Sequence, residues 1–212
     1  IKKEGTKAKE SLNKCIKIDP GKNEAYLKLA EIYFLVEQYV KSIEYINQVL
    51  KISNHNAKAY FMKGMNYKYM GDTALAISSM QTAVEQNNDY YDAYIQLSLM
   101  YSKKDDPVAV HYFDNALRIN SQSIEALYGK SLFLQEHGQP EKALEGYRKI
   151  LELDKNYFIA YFNMGFVNLV YLENFTEAIN NFSKAIELNP KYFEAWCNRG
   201  IAYEKMKDLK QA

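Results

Sequence analysis

The sequence predicts an all-α protein built from tandem helical hairpins, and three observations carry that reading. Side chains of one kind recur at steps of 33 to 35 residues from Tyr26 to Trp196. Within each step, apolar positions follow one another at three and four residues, the spacing of a single helix face. Between those faces lie stretches that end helices, among them Asp19-Pro20-Gly21, Met70-Gly71-Asp72, His137-Gly138-Gln139-Pro140 and Asn189-Pro190.

The repeat is legible column by column. One column holds Tyr26, Tyr60, Tyr94, Leu127, Tyr161 and Trp196. Four residues on stand small side chains, Ala30, Gly64, Ser98, Ser131, Gly165 and Gly200, and then Tyr33, Tyr67, Tyr101, Leu134, Asn168 and Tyr203. A later helix in each step carries Ala8, Ser42, Ala76, Ala109, Ala143, Ala178 and Ala212, followed by bulky Leu12, Ile46, Met80, Phe113, Tyr147 and Phe182. Cys15, Val49, Ala83, Ala116, Ile150 and Ala185 close that face.

This pattern resembles the tetratricopeptide repeat (TPR) family over essentially the whole chain. The resemblance implies an α-α superhelix, a right-handed solenoid of helical hairpins, with one core shared between neighbours. Residues 1–22 supply the second helix of a leading repeat; 23–56, 57–90, 91–123, 124–157 and 158–192 are complete repeats; 193–212 give the first helix of a last one. The first repeat turns at Glu37-Gln38 without glycine, the third is one residue short beside Pro107, and the fifth is one residue long between Val170 and Asn174. Gly64, Gly165 and Gly200 are expected to mark close helix approach, because glycine inside a helix needs a packing reason. The chain opens at Ile1 and stops at Ala212 where a second helix is due, which predicts a piece of a longer protein with apolar surface at both ends.

Composition narrows the function classes. Charged residues make up 25% and aromatics 14%, which suits a packed α protein. The net charge of +1 sets up no field to concentrate nucleic acid, and no apolar run is long enough to span a bilayer. Cys15 and Cys197 are too far apart in the repeat to form a framework, so compartment stays open between cytoplasm and periplasm. His55, His111 and His137 share no face, and no nucleophile–base set or phosphate-cradling glycine loop is present. No enzyme activity, metal or cofactor is expected.

What remains is a surface. In proteins of the resembling family, the residue after the Trp196-type column, and those four and seven further on, line the concave groove. Here the first line reads Leu27, Phe61, Ile95, Tyr128, Phe162 and Cys197, and the second Glu31, Met65, Leu99, Leu132, Phe166 and Ile201. The third is Phe34, Lys68, Ser102, Gln135, Leu169 and Glu204. Relatives that clamp a C-terminal carboxylate carry lysine with asparagine or arginine at such positions; only Lys28, Asn163 and Asn198 approach that here, so such a role is disfavoured. Two readings stay open for the apolar lines: buried packing between first helices, or an open strip for an amphipathic helix or aromatic-rich peptide. The expected function is a non-catalytic protein-interaction scaffold, its partner another protein or a second copy of the chain. The alternative is the scaffolding part of a larger enzyme or peptide-responsive regulator.

Overall fold

A computed structural model describes residues 2–207, and among these it holds twelve helices and no strand. Helix α1 (Lys2–Ile18) stands first. Ten helices follow in five successive pairs along the chain: α2 (Asn23–Leu35) then α3 (Tyr39–Ile52), α4 (Ala57–Tyr69) then α5 (Thr73–Gln86), α6 (Tyr91–Lys103) then α7 (Val108–Ile119), α8 (Ile124–Glu136) then α9 (Pro140–Leu153), and α10 (Phe158–Val170) then α11 (Phe175–Leu188). Helix α12 (Phe193–Lys205) is last. Ala212, the final member of the alanine column, lies outside the described residues. The chain divides into two compact units, Ile1–Met100 and Tyr101–Ala212.

In each unit the second-helix columns make the core. In the first, Ser42, Ile46 and Val49 of α3 and Ala76, Met80 and Ala83 of α5 are fully buried. Serine sits among alanines there because its Oγ donates to Ala30 O at 2.9 Å, so its burial leaves no orphan hydroxyl. In the second unit, Ala143, Tyr147 and Ile150 of α9 and Ala178, Phe182 and Ala185 of α11 fill the same roles. The Tyr147 hydroxyl donates to the buried Gln135 Oε1 at 3.0 Å, and burial pushes its acidity far towards the neutral form. Asn168, which stands where an aromatic was expected, is buried with its Nδ2 donating to Met164 O at 2.8 Å.

The small column receives the bulky one. A Cβ built on Gly64 would lie 2.6 Å from Met80 Cγ, and one on Gly165 would lie 2.7 Å from the Phe182 ring. Both positions are close approaches. Gly129 does the same for Phe113, at 2.5 Å, although it stands outside that column.

One backbone device turns every hairpin. Glu37, Gly71, Asp105, Gly138, Glu173 and Lys207 all have positive φ, at steps of 33 to 35 residues. The missing glycine of the first turn is therefore replaced by Glu37 in a left-handed conformation that usually favours glycine. The irregular repeats keep this device and absorb their length change beside it. Where Ala76 N–H reaches back four residues to Asp72 O, Ala109 N–H reaches back three to Asp106 O, so the lost residue falls at Pro107-Val108. Asp72 N–H bonds Tyr67 O five residues back, whereas Asn174 N–H bonds Asn168 O six back, which places the extra residue after Asn168. The junctions between hairpins use another recurrent device. Asp19, Asn87, Asn120, Asp154 and Asn189 each accept the backbone N–H two residues on, at 2.9–3.3 Å.

Candidate functional site

The candidate surface residues fall on the first helices, and the structure treats them unequally. In the first unit, Leu27, Glu31, Phe61 and Met65 are half-buried, Lys68 and Leu99 are exposed, and Ile95 is buried at 2% exposure. In the second, Tyr128, Leu132, Phe162, Phe166 and Asn198 are half-buried, Ile201 is exposed and Asn163 is buried. Ile95 and Asn163 thus offer little surface. The Asn198 amide is engaged by its own helix, donating to Glu194 O at 2.8 Å.

The half-burial of the first line has a cause that the sequence reading missed. The residue just before a first helix is Tyr90, Tyr157 or Tyr192 in three repeats, and each ring covers a first-line aromatic of the preceding first helix. Phe61 meets Tyr90 at 5.0 Å between centroids, Tyr128 meets Tyr157 at 6.4 Å, and Phe162 meets Tyr192 at 5.0 Å. Burial pushes the Tyr90 hydroxyl up to about 12 and raises Tyr157 and Tyr192 as well. This column was visible in the sequence as a tyrosine recurring at the repeat step. Phe162 packs further, against Phe182 of the core at 5.7 Å.

The residue before α4 is Asn56 rather than a tyrosine, and its side chain caps the helix by accepting from Ala59 N–H at 2.9 Å. An apolar pocket of about 330 Å³ opens between α2 and α4, lined by Glu31, Phe34, Leu35, Phe61, Met62, Met65 and Asn66. Four of these were named from the sequence as groove positions: Glu31, Phe34, Phe61 and Met65. Leu35, Met62 and Asn66 were not, since they lie off the three lines. Glu31 binds Lys28 Nζ through one oxygen and Lys58 Nζ through the other, both at 2.8 Å. Burial pushes its carboxyl up, but the two ammonium groups outweigh that and hold it below its usual value. Beyond the pocket, Phe34, Tyr39 and Tyr69 form an aromatic trio at 5.3–5.9 Å.

Among the described residues, no three His, Cys, Asp or Glu side chains group as metal ligands, and no helix is long and apolar enough to cross a membrane. Cys15 and Cys197 are free.

A tetratricopeptide repeat model matches residues 24–56 and 57–90, the hairpins α2–α3 and α4–α5, and a TPR repeat model matches residues 168–207. The matched segments together make up half of the chain. The chain belongs to the tetratricopeptide repeat family. A TPR repeat-containing protein of Methanocaldococcus jannaschii is 25% identical over 158 residues, covering 74% of this chain and 28% of that one. Anaphase-promoting complex subunit 3 of Schizosaccharomyces pombe is 24% identical over 160 residues, covering 74% of this chain and 24% of its own length. Response regulator aspartate phosphatase H of Bacillus subtilis is 28% identical over 146 residues, covering 60% and 39%. The TPR chain thus spans about a quarter to two fifths of the length of these curated relatives. Among solved structures, YrrB, described as a TPR protein with an unusual peptide-binding site, superposes with a TM-score of 0.78 at 22% identity over 89% of this chain and 97% of that one. A MamA structure gives 0.72 at 23% identity over 80% and 92%. The fold is accordingly the all-α TPR solenoid class.

Proposed function

We propose that this TPR chain is a non-catalytic scaffold that receives an apolar or aromatic helical segment of another protein, with the pocket between α2 and α4 as the receiving surface of the first unit. One observation carries the reading: bulky apolar side chains, Phe61 and Met65 among them, line an open concavity between α2 and α4. Soluble proteins seldom leave such surface exposed without a partner, and helix-in-groove docking is the mode that uses it. A peptide-binding site on YrrB, a protein of the same fold, supports the same kind of ligand. The test is capture of partners from native lysate by the chain, by Leu35→Glu and Met65→Glu variants, and by a Lys184→Glu control on α11. Loss of the same partner in both pocket variants and its retention in the control is expected. Equal capture by all four chains would overturn the reading.

A second reading is favoured by length. The chain matches only part of each relative, one of which is a response regulator aspartate phosphatase. These repeats then serve as the scaffolding part of a larger enzyme or regulator, with the pocket gripping a segment of that same protein. Capture of the intact protein's own remaining segment by the chain separates this from a partner encoded elsewhere.

A further inference from the structure

Two of the repeats pack a pair of tyrosine rings between their helices. Tyr33 of α2 stacks on Tyr45 of α3 with centroids 5.3 Å apart, and Tyr101 of α6 stacks on Tyr112 of α7 at 5.3 Å. Lysines sit over the first ring of each pair. Lys9 of α1 and Lys41 of α3 lie 5.3 and 5.6 Å from the Tyr33 centroid, and Lys104 lies 5.8 Å from that of Tyr101. The repeat thus contains a place suited to stacked rings beneath a cation.

Between α8 and α9 no ring stands in that place. Tyr33, Tyr45, Lys9 and Lys41 correspond to Leu134, Gly146, Val110 and Lys142, each 101 positions further along the chain. All four line one cleft of about 500 Å³ between α7, α8 and α9. Gly146 has no room for a side chain, because a Cβ there would run into Ser131 Oγ, which donates to Leu127 O at 2.7 Å. Leu117, Leu127 and Leu134 give the cleft apolar walls. Its charged lining is Lys130, Lys142 and Lys149 against Asp114 and Glu145. Lys130 pairs with Asp114, and Lys142 Nζ donates to Gln139 Oε1 at 2.9 Å. Charge is nearly balanced, so the cleft selects by shape and by ring contact. The second repeat keeps one ring, Tyr67 beside Ser79. The fifth places buried Asn168 and Asn181 there, each amide donating to its own helix at 2.8 and 2.7 Å.

We infer that the cleft between α7, α8 and α9 binds a tyrosine or phenylalanine side chain of a partner polypeptide, which stands beneath Lys142 where the repeat elsewhere holds its own tyrosines. Only the class of partner is shared with the scaffold reading above; the site is separate. The probe is N-acetyltyrosinamide, titrated into the chain while the isotope-labelled methyl signals of Val110, Leu127 and Leu134 are followed. Its comparators are N-acetylcyclohexylalaninamide, which has the size without the π electrons, and a seven-residue glycine–serine peptide with one central tyrosine. The tyrosine amide is expected to move all three signals and to bind about two- to fivefold more tightly than the cyclohexyl compound, the size of one exposed cation–π contact. Lys142→Met, at an exposed residue and so no threat to folding, should remove that advantage and leave the cyclohexyl compound unaffected. Leu134→Tyr restores the residue type of Tyr33, Tyr67 and Tyr101, and should fill the cleft and abolish the Val110 shift. Leu35→Glu, in the pocket between α2 and α4, should bind the probe as the unmodified chain does. Equal binding of the tyrosine and cyclohexyl amides, or signals that no probe moves, overturns the inference and leaves the α2–α4 reading standing. A tyrosine peptide that binds less tightly than the amide overturns the assignment to a partner polypeptide.

Discussion

At the residue scale, the glycines and tyrosines carry the sharpest consequences. Gly165 faces the Phe182 ring so closely that even a Cβ forces a shift, so Gly165→Leu should overpack α10 on α11 and cost about 1–3 kcal/mol, read as a lowered melting temperature. An unchanged melt would contradict the close approach. Tyr90, with its hydroxyl pushed up to about 12 by burial, favours the protonated form in the folded state. That contribution is complete below the ordinary tyrosine range near ~10 and is lost as pH rises through about 12, because the unfolded chain ionises first. Tyr147, Tyr157 and Tyr192 shift in the same direction and should add to an alkaline loss of helix signal. Tyr90→Phe should move the alkaline midpoint upward in a circular-dichroism titration, and an unmoved midpoint would count against it. The packing columns were legible in the sequence because burial selects size and apolarity at a fixed step. The left-handed turn residues Glu37 and Glu173 were not, because nothing in a glutamate's chemistry marks positive φ.

At the element scale, hairpins are set by their ends as much as by their faces. The turn column shows that a non-glycine residue holds the left-handed position in the first, third and fifth hairpins, a conformation that costs an L-residue about 1 kcal/mol. Glu37→Gly and Glu173→Gly should therefore each raise stability by roughly 0.5–1 kcal/mol, measured by denaturant midpoint, whereas Gly71→Ala at φ +84 should lower it. The same scale separates two fates of the first-line aromatics. Phe162 lies among Phe182, Tyr192 and the core of α10–α11, so Phe162→Ala should cost about 3 kcal/mol as a cavity. Phe61 lies against Tyr90 on one side and the open pocket on the other, so its alanine variant should lose less stability. Sequence lines marked both residues alike, because a line gives the direction of a side chain and not what covers it. The covering tyrosines sit in the junction loops, outside the helical period that revealed the lines.

At the scale of the whole molecule, the solenoid class was readable from the repeat, but the division into Ile1–Met100 and Tyr101–Ala212 was not, since every repeat looks alike in the columns. Beyond the pocket, α12 also exposes large apolar side chains. Phe193 is 71% exposed, Trp196 47% and Ile201 44%, although the Trp196 Nε1 donates to Pro190 O at 3.0 Å and Arg199 lies over its ring at 4.6 Å. Three large apolar side chains on one short helix are more than scattered surface residues normally supply. We expect this face to drive concentration-dependent association of the chain. Trp196 is the one tryptophan present, so its fluorescence should shift to shorter wavelength as protein concentration rises, in step with sedimentation. Ile201→Glu should weaken the association by placing a carboxylate in the apolar contact, and high salt should strengthen rather than weaken it, because the contact is apolar. The Leu35→Glu variant on the first unit should associate as the unmodified chain does. A chain that sediments as a monomer at every concentration, with unshifted Trp196 emission, would show that the apolar side chains of α12 drive no self-association.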